Sequence, residues 1–162
     1  MTIAPTIRAG GMLAPVELVE KYETDLGVVF PESYKIFISN NNSAYPEKSC
    51  FDYWDNYLKE EGEKSIYFFV FGLEQARVNA SEDLLRFQDF DIYGHDYVVA
   101  FAGTAEGDYV CFDYRHDPET SEPKISVMAH DMHYKETRKM VINHVANSFS
   151  EFCQLLHEDT DI

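Results

Sequence analysis

A hairpin near the centre of the chain, residues 96–115, most limits what this sequence can fold into. Residues 97–102 form a near-continuous apolar run rich in β-branched and aromatic side chains, which is typical of a strand covered on both faces. A glycine-containing turn follows, and the side chains of residues 108–114 then alternate between two faces. One face carries Tyr109, Cys111 and Asp113, and the other carries Val110, Phe112 and Tyr114. Because an isolated hairpin is marginally stable in water, the rest of the chain must supply elements that cover it.

The balance of charged residues excludes some classes of partner. The 162 residues include 13 Lys and Arg against 29 Asp and Glu, a formal net charge of −16. Nucleic acids and anionic membranes are polyanions, so such a surface repels both and would steer a basic protein partner towards itself. The alternative is that the charge serves solubility alone. A hydrophobic content of 45% and an aromatic content of 15% indicate one globular domain with a substantial core.

The cysteines and the N-terminal residues bear on location. Cys50, Cys111 and Cys153 are odd in number and widely spaced, so we expect reduced thiols rather than a disulfide or zinc framework. Residues 1–14 contain one arginine and are interrupted by proline and glycine, which does not fit a secretory signal peptide. We therefore expect a flexible lead-in at residues 1–14 and a cytoplasmic protein.

Three helices are predicted from local signals. The first begins near Pro15 and ends at Gly27, and the second opens at Pro31, because proline suits the first turn of a helix and glycine its C-terminal end. The third follows Ser148, which can form a capping box with Glu151. Its apolar face consists of Phe149, Phe152, Cys153 and Leu156.

The remaining elements are predicted from apolar runs. Strands are expected at residues 66–71 and 124–128, the second antiparallel to the hairpin strand 108–114. Residues 45–64 are predicted to be an ordered insertion, in which residues 50–61 could form a short amphipathic helix.

Two further stretches complete the predicted secondary structure. Residues 73–78 are predicted to form one helical turn, and residues 130–143 fit either a loop with a strand or an irregular helix. Together these elements predict a single α+β domain over residues 15–158, with a central antiparallel sheet flanked by N-terminal helices and a C-terminal helix. Residues 159–162 form an acidic tail.

Five short motifs follow one another along the chain: residues 26–38 (LGVVFPESYKIFI), 71–73 (FGL), 99–115 of the hairpin, 125–131 (ISVMAHD) and 145–152 (VANSFSEF). In this order they resemble the SUKH superfamily. The resemblance covers roughly residues 16–156. It departs from the family pattern at residues 40–43, where Asn-Asn-Asn-Ser replaces Asn-Gly-Gly.

The resemblance implies a compact α+β domain without catalytic activity. Many proteins of this superfamily are bacterial immunity proteins that bind and neutralise a cognate toxin domain, often a nuclease. Others are regulators in eukaryotes, including regulators of cell-wall assembly. The motifs themselves resemble determinants of the fold, so the resemblance implies the fold more directly than the function.

Acidic segments that also contain aromatic residues are the predicted partner-binding surface. Interfaces are enriched in Tyr and Trp, and carboxylates around them speed the capture of a basic partner. For any single residue, a solvated face or the core is the commoner role, and exposed aromatic residues are equally compatible with a homodimer. The predicted residues are Asp89, Asp91, Tyr93 and Asp96 in one stretch, Glu106 and Asp108 at the hairpin tip, and Tyr53, Trp54 and Asp55 in the insertion.

Other combinations of reactive side chains favour structural roles. His130 and His133 are spaced for one helix face, but no third candidate ligand lies at a sequence spacing typical of a metal site. We therefore expect no metal and no cofactor. The sequence contains no nucleophile elbow, catalytic Cys–His signature or phosphate-binding loop, so we expect no enzymatic activity. If its face of the strand is buried, Asp113 needs a hydrogen-bond partner such as an arginine or a backbone amide.

The sequence thus predicts a cytoplasmic immunity protein that blocks a toxin made by its own cell by occluding it, with a nuclease as the expected toxin. Two alternatives stay open. The first is a regulatory or scaffolding protein-binding module of the same fold. The second is a metal-dependent or hydrolytic enzyme centred on His130 and His133.

Overall fold

The structure, a computed structural model, describes residues 13–42, 46–72 and 83–159. The helices in these residues are α1 (Val16–Leu26), α2 (Glu32–Asn40), α3 (Phe90–Tyr93) and α4 (Phe149–Leu155), with a 3-10 turn at Leu84–Phe87. The strands are β1 (Cys50–Asp55), β2 (Glu60–Phe68), β3 (Val98–Thr104), β4 (Tyr109–Asp113), β5 (Lys124–His133) and β6 (Met140–Ala146). The six strands form one sheet in sequence order, and every neighbouring pair is antiparallel. The predicted single-domain α+β fold is confirmed.

The predicted hairpin is confirmed as β3 and β4, and its two faces pack against different layers. On the face covered by helices, the Phe112 ring stacks on Phe101 with 4.1 Å between centroids. On this face the Tyr114 hydroxyl also donates a 2.6 Å hydrogen bond to a carbonyl of the loop between α1 and α2. On the opposite face, the Tyr109 ring lies 5.2 Å from the Tyr93 ring of α3. The alternation in β4 therefore divides its side chains as the sequence predicts.

Tyr34 of α2 lies at the centre of the main core. Its ring centroid is 4.9 Å from that of Phe112, 5.3 Å from Phe149 and 5.7 Å from Phe101, all in edge-to-face contacts. Such contacts add to the hydrophobic gain of burying the rings. They join α2, the central hairpin and α4 into one packed unit.

The helix ends follow the predicted local signals. Pro15 and Pro31 directly precede α1 and α2, and Gly27 ends α1 with a φ of 71°, a left-handed conformation that favours glycine. The Ser148 hydroxyl accepts a 3.1 Å hydrogen bond from the Glu151 backbone N–H at the start of α4. No helix among the described residues has the length and apolarity that crossing a membrane requires.

Residues 50–61 do not form the short helix that the sequence allows. They form β1, a turn and the start of β2. Two backbone N–H groups of the turn donate hydrogen bonds of 2.9 Å to the Asp55 carboxylate. These bonds stabilise the turn in which the chain reverses direction between β1 and β2. Across the pair, the Tyr53 ring fills the space over Gly62, where an added Cβ would lie 2.6 Å from the ring. The helical prediction is wrong because this fit is made with the opposite strand.

The other strand predictions hold with shifted bounds. The predicted strand at 66–71 overlaps β2, which begins earlier and ends at Phe68. The strand at 124–128 is β5, which pairs antiparallel with β4 as expected and runs on to His133. For residues 130–143 the loop-and-strand alternative is right, since the end of β5, a turn and the start of β6 occupy them. The helical turn predicted at 73–78 lies outside the described residues.

Asp113 is buried and has the partner that its burial requires. Its carboxylate accepts hydrogen bonds from Arg115 Nε at 2.9 Å and Nη2 at 2.8 Å, and from the Ser126 hydroxyl at 3.0 Å. Burial alone would raise the pKa of Asp113, but the Arg115 guanidinium outweighs this and holds the pKa below its usual value. Asp113 is therefore an ionised structural residue.

Candidate partner-binding surface

Residues 89–97, which include the single turn of α3, carry four of the nine predicted partner-binding residues. The turn starts because the Asp89 carboxylate accepts a 3.1 Å hydrogen bond from the Ile92 backbone N–H. It ends at Gly94, which has a φ of 76°. An added Cβ at Gly94 would lie 2.8 Å from the Lys139 side chain, so only glycine satisfies both the backbone conformation and the close contact.

Two buried side chains attach this segment to the sheet. Tyr93 packs against the Tyr109 ring, and burial raises the pKa of Tyr93 far above its ordinary value. His95 places Nε2 2.8 Å from the Met140 carbonyl oxygen, and burial lowers the pKa of His95. A neutral imidazole therefore donates its Nε2–H to β6. Tyr93, one of the predicted binding residues, is inside the protein and holds the segment in place.

The outward side of the segment combines apolar and acidic side chains. Its apolar members are 36%, 62% and 55% exposed, in the order Phe90, Ile92 and Tyr97. Its acidic members, Asp89, Asp91 and Asp96, are exposed as well. We call these six residues the acidic–apolar surface. The apolar three were missed from the sequence because apolar residues are expected inside; the available signal was a turn too short to bury all its sides.

Tyr97 carries backbone strain on this surface. Its φ of 63° lies in the left-handed region, which aromatic residues seldom occupy. The Tyr97 carbonyl accepts a 2.8 Å hydrogen bond from the Tyr114 backbone N–H, which holds the conformation where the chain enters β3. Strain of this kind is concentrated at functional sites.

The two predicted acids at the hairpin tip have different environments. The Glu106 side chain is 64% exposed, whereas that of Asp108 is 4% exposed. Asp108 lies 2.6 Å from Lys64 Nζ and 2.7 Å from His130 Nδ1. Burial alone would raise the pKa of Asp108, but the hydrogen bonds from Lys64 and His130 hold the pKa below its usual value. Asp108 therefore holds the fold, and Glu106 is accessible to a partner.

The predicted binding residues of the β1–β2 hairpin also differ in solvent exposure. Asp55 is buried beneath the turn that it stabilises. Tyr53 is half-buried, with Lys64 Nζ 5.9 Å from its ring centroid. Trp54 is half-exposed and borders an open groove of about 450 Å³, together with Tyr134 and β6 residues. Of these three residues, only Trp54 is exposed, at 50%.

Tyr109 links α3 to the hairpin tip. Burial is the main reason why the pKa of its hydroxyl is raised, and the charges of Asp108 and Asp89 add to the effect. Both carboxylates therefore lie within electrostatic range of one phenol. The Tyr93 and Tyr109 rings, 5.2 Å apart, place α3 beside the start of β4, although the sequence separates the two.

His130 takes part in the buried ion pair. Asp108, His130 and Asp131 place ligand atoms within 4.8 Å of one another, and His133 is not part of this group. Because Asp108 already accepts from Lys64, its charge is compensated without a metal ion. His130 and His133, paired in the sequence analysis, therefore do not belong to one group of potential metal ligands.

The six-stranded antiparallel sheet with helices on one face and α3 on the other defines a single-domain α+β protein. The chain matches the model of the SMI1 / KNR4 family (SUKH-1) over residues 14–154 and belongs to that family. Comparison with curated proteins and with solved structures gave no match. Proteins of this family are generally non-enzymatic immunity and regulatory proteins that act by binding other proteins.

Proposed function

We propose that this chain is a cytoplasmic immunity protein that binds a cognate toxin domain and blocks it by occlusion. The observation that carries the proposal is the acidic–apolar surface. It sets three exposed apolar side chains among three carboxylates, on a segment fixed to the sheet by Tyr93 and His95. Membership of the SMI1 / KNR4 family supports a binding role.

The composition of the surface fits a protein interface. Binding energy is concentrated in a few apolar or aromatic residues surrounded by polar groups that exclude water. Phe90, Ile92 and Tyr97 would supply the apolar contacts, and Asp89, Asp91 and Asp96 the surrounding charges. A segment that is already ordered loses little conformational entropy on binding.

The charge favours a basic partner. With a net charge of −16, the chain would attract a cationic domain from a distance and accelerate its association. A nuclease is the toxin class we propose, because its substrate-binding groove must be basic to hold phosphates. Carboxylates of the acidic–apolar surface and Glu106 would take the places of those phosphates, and no chemical step would be needed.

The first experiment is to recover the chain from its native cells at low salt and identify the proteins bound to it by mass spectrometry. The proposal expects a protein with a basic domain that kills a host cell unless this chain is co-expressed. A non-toxic regulatory partner would replace the immunity proposal with that of a regulatory binding module. A partner that is toxic but bound equally well by surface variants would contradict the assigned surface.

The surface variant must keep the α3 turn intact. We therefore combine Asp91→Lys and Asp96→Lys with Asp89→Asn, since asparagine also caps helices. The charge change is +5. A control with the same charge change carries Glu119→Lys, Glu122→Lys and Glu136→Gln at exposed positions outside the surface. Slower association and weaker salt dependence in the surface variant alone are expected; equal effects in both would mean that only net charge matters.

A further inference from the structure

A second group of ionisable side chains lies on the β1–β2 hairpin, where two carboxylates face each other. Asp52 of β1 and Glu63 of β2 are directly paired across the antiparallel strands. Their side chains are 62% and 34% exposed. Like charges at directly opposed positions destabilise a sheet. This pair therefore favours a cation between the two strands.

His157, from the chain that follows α4, reaches the same place. Its backbone pairs with that of Cys50, with N–H to O distances of 2.8 and 3.0 Å in the two directions. The bridge brings His157 Nε2 to 3.1 Å from the Asp52 carboxylate and 3.8 Å from that of Glu63. Backbone hydrogen bonds thus hold together the three segments that carry these donor groups.

The second ring nitrogen of His157 decides what Nε2 presents to the carboxylates. Nδ1 lies 2.7 Å from the Glu158 carbonyl oxygen. Because a carbonyl only accepts, Nδ1 carries a hydrogen, and Nε2 faces the two carboxylates either with a second proton or with a lone pair. A second proton would pair with the carboxylates directly, whereas a lone pair there would repel them unless a positive ion lay between it and the oxygens. A histidine that donates one N–H to a carbonyl while binding a metal through the other nitrogen is the usual arrangement around metal ions.

We propose that Asp52, Glu63 and His157 form a binding site for a divalent transition-metal ion, with Zn²⁺ as the preferred ion. In a tetrahedral site with bonds of about 2.0–2.1 Å, ligand atoms lie about 3.4 Å apart. The two distances from Nε2, 3.1 and 3.8 Å, bracket that value. One imidazole with carboxylates suits Zn²⁺ better than Ca²⁺ or Mg²⁺, which prefer oxygen ligands alone.

The fourth position has two neighbours among the described residues. Glu63 also belongs to a second group with Cys50 and Asp159, whose donor atoms lie within 4.8 Å of one another. The Cys50 side chain is buried, whereas Asp159 is exposed to solvent. We therefore assign the fourth position to Asp159 or to water. The bound ion would tie the segment after α4 to the edge strand of the sheet.

The test is Zn²⁺ binding by the full chain after treatment with a chelator. Isothermal titration calorimetry at pH 7 should give one equivalent of bound Zn²⁺, and thermal unfolding should shift upward with Zn²⁺ concentration. His157→Ala should weaken binding by at least about tenfold, the scale on which removing even an outer partner of a metal ligand acts. Asp52→Asn should weaken it as well, which covers the case in which one variant folds poorly.

Two control variants separate this site from general attraction of cations to an acidic protein. His116→Ala removes an exposed histidine elsewhere, and Glu61→Gln removes the carboxylate next along β2, opposite Trp54. Both should bind Zn²⁺ as the unmodified chain does. Equal affinity in the His157 variant, or the absence of stoichiometric binding, would overturn the proposal and leave a proton on His157 as the cation between the strands.

Discussion

Asp108 gives the sharpest test of the division between structural and accessible acids. Asp108→Asn removes a carboxylate that is bonded to Lys64 at 2.6 Å and to His130 at 2.7 Å. Glu106→Gln is its matched control, because the same Lys64 also bonds Glu106, at 2.8 Å. The two residues lie on the same turn and share a partner, and they differ in exposure: 4% for the Asp108 side chain against 64% for that of Glu106.

The expected magnitudes follow from burial. Removing one partner of a buried ion pair costs roughly 3–5 kcal/mol. Lys64 keeps Glu106 as a partner, and an asparagine keeps an oxygen that can accept from His130, so we expect a loss of about 2–3 kcal/mol for Asp108→Asn. An exposed ion pair contributes about 0–1 kcal/mol, which bounds the loss for Glu106→Gln. The melting temperature of the Asp108 variant should fall by roughly 4–12 °C in a domain of this size.

Urea unfolding at several pH values is the assay. The folded-state pKa of Asp108 lies below its ordinary value, so its stabilisation is complete above the unfolded-state pKa and is lost as pH falls through the folded-state pKa. The gap in unfolding free energy between the unmodified chain and Asp108→Asn should therefore be full at pH 7 and shrink below about pH 4. For Glu106→Gln the gap should stay small at both pH values.

Equal losses in the two variants would refute this reasoning, as would a gap for Asp108→Asn that does not change with pH. Either result would mean that the carboxylate at 108 is not the buried, ionised partner of Lys64. A change in the urea dependence itself would indicate an altered unfolded or folded state rather than a lost ion pair.

Three further predictions concern other parts of the chain. Tyr97→Asn should raise stability by about 1 kcal/mol, measured by urea unfolding, because asparagine tolerates a φ of 63°, and it should weaken partner binding; lower stability would contradict this. Arg115→Met should cost roughly 2–4 kcal/mol by leaving Asp113 buried with a weaker set of partners, and a loss under about 0.5 kcal/mol would contradict it. All three thiols are buried, and burial raises the pKa of Cys153 to about 12, so a thiol reagent should react only after denaturation; rapid reaction of the native chain would contradict the burial.

The parts of the fold that sequence reasoning predicts are those set by neighbouring residues. Pro15, Gly27 and Ser148 mark helix ends through their own backbone and side-chain chemistry, and the central hairpin follows from a period of two in β4. The β1–β2 hairpin could not be predicted from neighbouring residues in this way. Its strands are specified by the fit of Tyr53 over Gly62 and by the Asp55 turn, and a short window of sequence contains only one side of such a fit.

The candidate surface was only partly predictable for a related reason. Asp55 and Asp108 are buried, whereas Asp91 and Asp96 are exposed, yet all four are aspartates beside aromatic residues. Burial of Asp108 is decided by Lys64 on β2 and by a histidine on β5, which only the sheet brings together. Local sequence reports the charge of a residue, and long-range pairing decides whether that charge faces solvent.

The difference between buried and exposed carboxylates determines which acids can attract a partner. The buried carboxylates Asp108 and Asp113 are each neutralised by a basic residue within hydrogen-bond distance, so they add little to the outer electric field. The attraction of a basic domain must then come from exposed acids such as Asp91 and Asp96. Changing these acids should alter association rates with little effect on stability, while changing the buried acids should do the reverse. Recognition and folding can therefore be tested independently in the same chain.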